Sequence, residues 1–157
     1  MQKIVPFLWF NDKAEEAMNY YVSIFPNSKV VEVRRYGAEG PGPKGSVMTA
    51  TFELDGQTFH ALNGGPQYQF TPAISFFVNC DSQRDVDTLW EKLSAGGEKQ
   101  PCGWLKDRYG LSWQIIPTIL GKLMGDKDPQ KAGRVMKAML QMTKIDIKQI
   151  EKAYAGG

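Results

Sequence analysis

One local pattern occurs twice in the chain: an apolar stretch runs into an acidic residue and then into an amphipathic segment. The first copy reads KIVPFLWF followed by NDKAEEAMNYYVSIF, and the second reads AISFFVNCD followed by SQRDVDTLWEKL. Asp12 of the first copy corresponds to Asp81 of the second. At the same interval, Tyr21 corresponds to Trp90. The pattern indicates an internal duplication, which restricts the fold to a pair of similar modules.

Each module is predicted to open with a strand and a capped helix. The first strand is expected over residues 3–10, where the side chains are mostly apolar and aromatic. Asp12 with Glu15, and Ser82 with Asp85, have the spacing of residues that start a helix. In both segments the apolar residues then recur at helical spacing, so each helix buries one face.

A hairpin is the clearest short-range prediction. Residues 46–65 read SVMTATFELDGQTFHALNGG, in which two alternating stretches flank Asp55-Gly56. Asp-Gly is favoured in two-residue hairpin turns, because both positions need a positive φ. The preceding residues, 37–45, form a loop rich in glycine and proline.

The stretch DRYGLSWQIIP, residues 107–117, predicts a tight turn followed by a strand. Alternation places Ser112, Gln114 and Ile116 on one face of that strand and its other large apolar side chains on the opposite face. A single amide among large apolar residues is either a structural polar group or part of a site.

From Thr118 onward the sequence is typical of helices. Asp128-Pro129 and Asp146 are predicted helix starts. An apolar stripe follows the first of these starts, at Ala132, Val135, Met136, Met139 and Leu140. We interpret the stripe as packing onto its own domain or a second subunit; a promiscuous binding surface is the alternative.

Composition narrows the class of protein. The 157 residues are 42% hydrophobic and 23% charged, as in globular domains, and the net charge is only +2. The scattered basic residues argue against nucleic-acid binding, and no apolar run is long enough to span a bilayer. Cys80 and Cys102 lack metal-site spacing, and no signal peptide is evident, so we expect reduced thiols in a cytoplasmic protein.

Three strings carry a resemblance to a known family: PFLWFNDKAEEAMNYYVSIFP, ALNGGP and CGWLKDRYGLSWQIIP. Together they resemble the PhnB-like, or 3-demethylubiquinone-9 3-methyltransferase-like, branch of the vicinal oxygen chelate (glyoxalase/bleomycin resistance/dioxygenase) superfamily. The resemblance implies an α+β fold with paired βαβββ modules that form an open U-shaped sheet, followed by C-terminal helices. We expect one glyoxalase-like domain over 1–157, with modules at 1–66 and 67–118 and a helical extension at 119–157.

The resemblance also implies where a metal would bind. Metal-dependent relatives use four inward side chains, on the first and last strands of each module. The corresponding positions here are Val5 or Pro6, Ala73 or Ile74, His60 and Gln114. Gln114 follows the Asp107 turn at the position where many relatives have glutamate. At most two of the four positions hold a donor, so we expect no metal and no cofactor.

The predicted ligand-binding residues are His60, Asn63, Trp104 and Gln114, and no catalytic residue is assigned. For His60 and Trp104 the alternatives are a satisfied or solvent-facing histidine and a core tryptophan. For Asn63, in the string Asn-Gly-Gly-Pro, the alternatives are a backbone nest for an anion and a simple turn.

The predicted function is binding of a small organic molecule of unknown identity in a metal-free cup, by a homodimer without nucleic-acid or membrane partners. The alternative is a metal-independent or weakly metal-dependent enzyme of the same superfamily, of lyase or transferase type. Methyl transfer is not expected, because no glycine-rich loop joins a parallel strand to a helix. An interaction module acting through the C-terminal helices is a third possibility.

Overall fold

The computed structural model describes residues 2–157 and divides between Phe70 and Thr71 into two compact units. Each unit contains a four-stranded mixed sheet and helices, so the predicted α+β class is confirmed. Within residues 2–157, no helix is both long and apolar enough to cross a membrane.

The first unit has the order of a βαβββ module. Its elements are β1 (Phe7–Phe10), α1 (Ala14–Ile24), β2 (Lys29–Arg35), β3 (Val47–Leu54) and β4 (Gln57–Asn63). The strand order in the sheet is β1-β4-β3-β2, with β1 parallel to β4 and the other pairs antiparallel. The predicted hairpin between β3 and β4 is confirmed, since Asp55 and Gly56 both have positive φ, 47° and 81°.

Helix α1 covers one face of this sheet. Ala17, Met18 and Tyr21 on the helix are buried, as its apolar periodicity requires. The ring of Tyr21 stacks on that of the buried strand residue Phe52 at a centroid distance of 6.5 Å. Phe52 in turn stacks on Phe59 of the neighbouring strand at 5.5 Å. The opposite face of the sheet has no helix of this unit on it. In each unit, the helix that directly follows the first strand packs on one face of the sheet, and the opposite face is termed the open face.

Two boundaries in the first unit differ from the sequence prediction. The first strand begins at Phe7 rather than at residue 3, because Pro6 has no N–H to donate to the ladder. The predicted cap of α1 by Asp12 is also wrong. The Ala14 N–H donates instead to the side-chain oxygen of Asn63, at 2.8 Å.

The second unit repeats the βαβββ order and adds helices. Its elements are β5 (Ser75–Cys80), α2 (Gln83–Ser94), β6 (Glu98–Lys99), a 3-10 turn (Pro101–Gly103), β7 (Trp104–Lys106), β8 (Ser112–Pro117), α3 (Thr118–Met124), α4 (Pro129–Met139) and α5 (Ile147–Tyr154). The strand order β5-β8-β7-β6 matches that of the first sheet, again with the first and last strands parallel. The predicted cap is confirmed: the Ser82 hydroxyl accepts from the Asp85 N–H at 3.1 Å.

Helices α3–α5 form a small core of their own against the end of β8. Ile116, Val135, Ile145 and Ile150 are buried in it. The predicted caps by Asp128 and Asp146 are confirmed. Two residues of the predicted apolar stripe, however, do not pack against this core. Met136 and Leu140 are 41% and 56% exposed. At 3.6 residues per turn they lie about 100° and about 140° around the helix axis from the buried Val135, so they point away from the core.

Candidate functional site

The strand that carries Gln114 is fixed by a buried carboxylate. One oxygen of Asp107 accepts the backbone N–H groups of Tyr109 and Leu111, at 2.8 and 3.0 Å. Its other oxygen accepts the indole N–H of Trp113 at 2.9 Å. Asp107 is therefore a structural residue. It determines where β8 starts and which of its side chains point to each face of the sheet, and so which face Gln114 occupies.

Gln114 lies between two aromatic side chains on the open face of the second sheet. It is the register partner of Phe77 on β5 and of Trp104 on β7. Paired residues on adjacent strands point to the same face, so the three side chains form a row across the sheet. The opposite face carries Trp113 and Leu105, both buried. Two predicted site residues, Trp104 and Gln114, are thus brought together.

Polar groups accompany this aromatic–amide row. The Gln114 amide nitrogen donates to the Ser75 hydroxyl at 3.0 Å. Ser112, two residues before Gln114 on the same face, is fully buried, and its hydroxyl has no hydrogen-bond partner within residues 2–157. An unpaired buried hydroxyl costs about 1–3 kcal/mol, so Ser112 locally destabilises the fold beside Gln114.

Sequence reasoning missed Phe77. It is 54% exposed, whereas its neighbour Phe76 packs beside Trp113 at a ring centroid distance of 5.5 Å. The signal is present in the sequence, because adjacent residues of a strand point to opposite faces. Two consecutive phenylalanines in β5 therefore require one of them to lie on the open face.

His60 lies on the open face of the first sheet. Its neighbours along β4, Phe59 and Ala61, are buried on the helix side, so alternation directs His60 away from α1. Its Nδ1 lies 2.9 Å from the Thr51 hydroxyl, and its ring centroid lies 5.5 Å from that of Phe7. His60 is half-buried, and it belongs to a different unit from Gln114.

Asn63 holds the first unit together. Its side-chain oxygen caps α1, and its amide nitrogen donates to the Val47 carbonyl at 3.3 Å. The N–H groups of Gly64 and Gly65 donate to backbone carbonyls of the β1–α1 region, so they are not free to form an anion nest. Both polar atoms of the Asn63 side chain therefore have protein partners, and its ligand-binding role stays a prediction.

The two cysteines are free thiols with different surroundings. Burial raises the pKa of Cys80 to about 11, and the nearby carboxylates of Asp85 and Asp81 contribute to that rise. Cys80 is therefore a weak nucleophile near neutral pH. Cys102 has a left-handed backbone, φ 63°, and its N–H donates to the Met142 carbonyl, which joins this segment to the C-terminal helices.

The donor set does not fit a metal ion of the superfamily type. Val5 and Ile74 have no side-chain donor atom, and Gln114 offers a neutral amide oxygen. Among residues 2–157, no group of three or more His, Cys, Asp or Glu side chains is arranged to hold a metal. Divalent transition metals in proteins usually need three or four such donors, more than the superfamily positions of this chain supply.

Comparison with known proteins places the chain in a family. The sequence profile of the 3-demethylubiquinone-9 3-methyltransferase family matches residues 2–116. The chain belongs to this family. The predicted resemblance is confirmed, and residues 117–157, which include α3–α5, lie beyond the matched region. Among curated proteins, none matches the chain.

Solved structures of relatives support the same fold. A PhnB protein from Bacillus cereus, which carries the same methyltransferase designation, is 42% identical over 74% of this chain and 100% of its own, with a TM-score of 0.70. A Pseudomonas aeruginosa protein is 23% identical over 74% and 98%, with a TM-score of 0.63. The fosfomycin resistance protein FosX from Listeria monocytogenes is 16% identical over 74% and 93%, with a TM-score of 0.52, and shows the fold alone.

Proposed function

We propose that this family member binds a small planar organic molecule on the open face of its second sheet. The observation that carries the proposal is the row in which Gln114 lies between Phe77 and Trp104. The two aromatic side chains offer flat apolar area for a ring, and the Gln114 amide offers a donor and an acceptor. This combination of apolar walls with few convergent polar groups is typical of small-molecule sites.

Exposure of Phe77 supports this assignment. Leaving a phenylalanine side chain in water rather than burying it forgoes about 1.5–3 kcal/mol. Phe77 is 54% exposed beside a half-buried tryptophan and amide, so a ring that covers it would gain part of that energy.

The site is proposed to work without a metal ion, because two of the superfamily positions lack donors. Of the predicted ligand-binding residues, Trp104 and Gln114 contribute to this site. The methyltransferase designation of the family describes relatives, and the sequence has no glycine-rich loop of the kind that binds a methyl-donor cofactor.

Thermal-shift and NMR titrations would test the proposal with two planar probes, nicotinamide and duroquinone. Duroquinone has no free ring position to which a thiol can add. We expect a probe to shift the indole N–H signal of Trp104 saturably, and Gln114→Leu to weaken that binding about tenfold or more. The matched control is Gln141→Leu, an exposed glutamine of the C-terminal helical region. If neither probe shifted the Trp104 signal, the proposal would fail; conversion of a bound probe would favour the enzymatic alternative.

We further infer a cytoplasmic homodimer. Two free thiols are typical of a reducing compartment. A second copy would remove large apolar side chains from water, among them Ile4, Ile74 and Leu140, which are 90%, 69% and 56% exposed. Light scattering should therefore give twice the chain mass of 17.6 kDa. A monomer at micromolar concentration would contradict this inference.

A further inference from the structure

The open face of the first sheet carries a pocket with an aromatic end and a charged end. Its volume is about 230 Å³, below the roughly 300–1,000 Å³ of sites for drug-sized ligands, so it suits a molecule with a single ring. One row of paired residues crosses the sheet from Phe7 through His60 and Thr51 to Glu32.

The charged end is formed by strand β2 and its neighbour. Arg34 is the register partner of Thr49, and both line the pocket. The Arg34 Nε donates to a Glu32 carboxylate oxygen at 3.1 Å. That contact uses only Nε. The two terminal nitrogens of the guanidinium have no hydrogen-bond partner within the part of the chain that the structure describes, nor does the Thr49 hydroxyl.

The aromatic end is formed by Phe7 and His60. Phe7 is 56% exposed, and its ring is tilted by 53° to that of His60. The contact between His60 and Thr51 involves Nδ1, so Nε2 is left to face the pocket. A flat ring placed here would contact both side chains and would remove Phe7 from water.

We propose that this pocket binds a small aromatic carboxylate, with the carboxylate on the terminal nitrogens of Arg34 and the ring against Phe7 and His60. A guanidinium fork matches a carboxylate in shape and charge, which favours it over a neutral polar group. Glu32 has two opposed effects. It orients Arg34 through Nε, and its charge repels an incoming carboxylate. The site belongs to the other sheet from the Phe77–Gln114–Trp104 row and does not depend on a ligand there.

Benzoate is the probe for this site, and His60 is the reporter because it is the only histidine in the sequence. We expect a saturable shift of the His60 ring signals in NMR titrations with benzoate. Arg34→Gln should weaken binding about two- to fivefold, since a charge pair is lost at a side chain that is 65% exposed and screened by solvent. Glu32→Gln keeps a side-chain oxygen that accepts from the Arg34 Nε and removes the like charge, so it should strengthen binding by about threefold. If the Arg34–Glu32 pair were only structural, the two substitutions would not change the benzoate affinity in opposite directions.

The matched control is Arg35→Gln. Arg35 is the next residue of β2, but it pairs with Glu15 and does not line the pocket, so benzoate affinity should not change. Benzyl alcohol serves as the uncharged comparison and should bind more weakly than benzoate. Equal affinity of the two probes, wild-type affinity in Arg34→Gln, or no saturable shift would overturn the proposal. None of these results would affect the separate test of Gln114.

Discussion

Asp107 shows how one buried residue determines the geometry of a site that it does not enter. Three N–H groups of its own turn and strand donate to its carboxylate. Asp107→Asn replaces one acceptor oxygen with a donor, which must then face an N–H group. We expect the substitution to lower the free energy of unfolding by about 1–3 kcal/mol, measured by urea denaturation.

The control for this prediction is Asp55→Asn. Asp55 also lies in a turn, but it is exposed, and Asn-Gly is as well suited as Asp-Gly to that hairpin. Its stability should change little. Wild-type stability in Asp107→Asn would show that the carboxylate does not hold β8 in place.

For single residues, the sequence predicts the sheet face that Gln114 occupies but not its neighbours on the adjacent strands. Alternation within β8 is local and separates Gln114 from Trp113 and Ile115. The partners Phe77 and Trp104 depend on the register between strands, which is set by turn lengths and by the whole sheet. Single-sequence reasoning therefore finds a site residue more readily than the set of residues around it.

Among the helices, α1 has a position that the sequence predicts and a cap that it does not. Periodicity predicts its position, but its cap comes from Asn63, which is distant in sequence. Local signals at Asp12 cannot reveal that a strand residue supplies the acceptor. Ser82, Asp128 and Asp146 act within their own segments, and the sequence predicts their caps correctly.

The cap by Asn63 can be tested with two substitutions. Asn63→Ala removes both the acceptor for Ala14 and the donor to Val47, so we expect a loss of about 1–2 kcal/mol in unfolding free energy. Asn63→Asp keeps the acceptor and adds a negative charge near the helix N-terminus, so its loss should be smaller. Thermal and urea denaturation, followed by circular dichroism, measure both. If the alanine variant were as stable as the wild type, the cap would contribute nothing.

For the whole molecule, the C-terminal group of helices lies beyond the region that the family profile matches. Side chains of α2 connect these C-terminal helices to the rest of the second unit. The Gln83 amide donates to the Ile145 carbonyl and accepts from the Ile147 N–H, and Lys144 pairs with Asp87 at 2.9 Å. The sequence predicts the helices themselves but not these connections, because they join residues far apart in the chain.

The Lys144–Asp87 pair predicts a pH dependence of stability. A hydrogen bond from Lys144, then one from Gln83, lowers the pKa of Asp87 below its ordinary value of 3.8. A lowered pKa stabilises the folded state above that ordinary value, and the contribution is lost as the pH falls through the folded pKa. Asp87→Asn should therefore reduce stability at pH 7, by about 1 kcal/mol or less for a pair this exposed, and the difference should vanish in strong acid.

Denaturation at several pH values measures this effect, with Glu98→Gln as the control. Glu98 is exposed and forms no ion pair within residues 2–157. A difference between wild type and Asp87→Asn that did not change with pH would contradict the assignment.

The most direct test of the proposed function is an NMR titration that observes Gln114 and Trp104 together. With nicotinamide or duroquinone, the side-chain amide signals of Gln114 and the indole signal of Trp104 should shift with the same saturation curve, because the two residues are register partners in one row. Phe77→Ala should weaken that binding in parallel for both signals. Saturable binding that leaves both signals unmoved would place the ligand elsewhere and contradict the account.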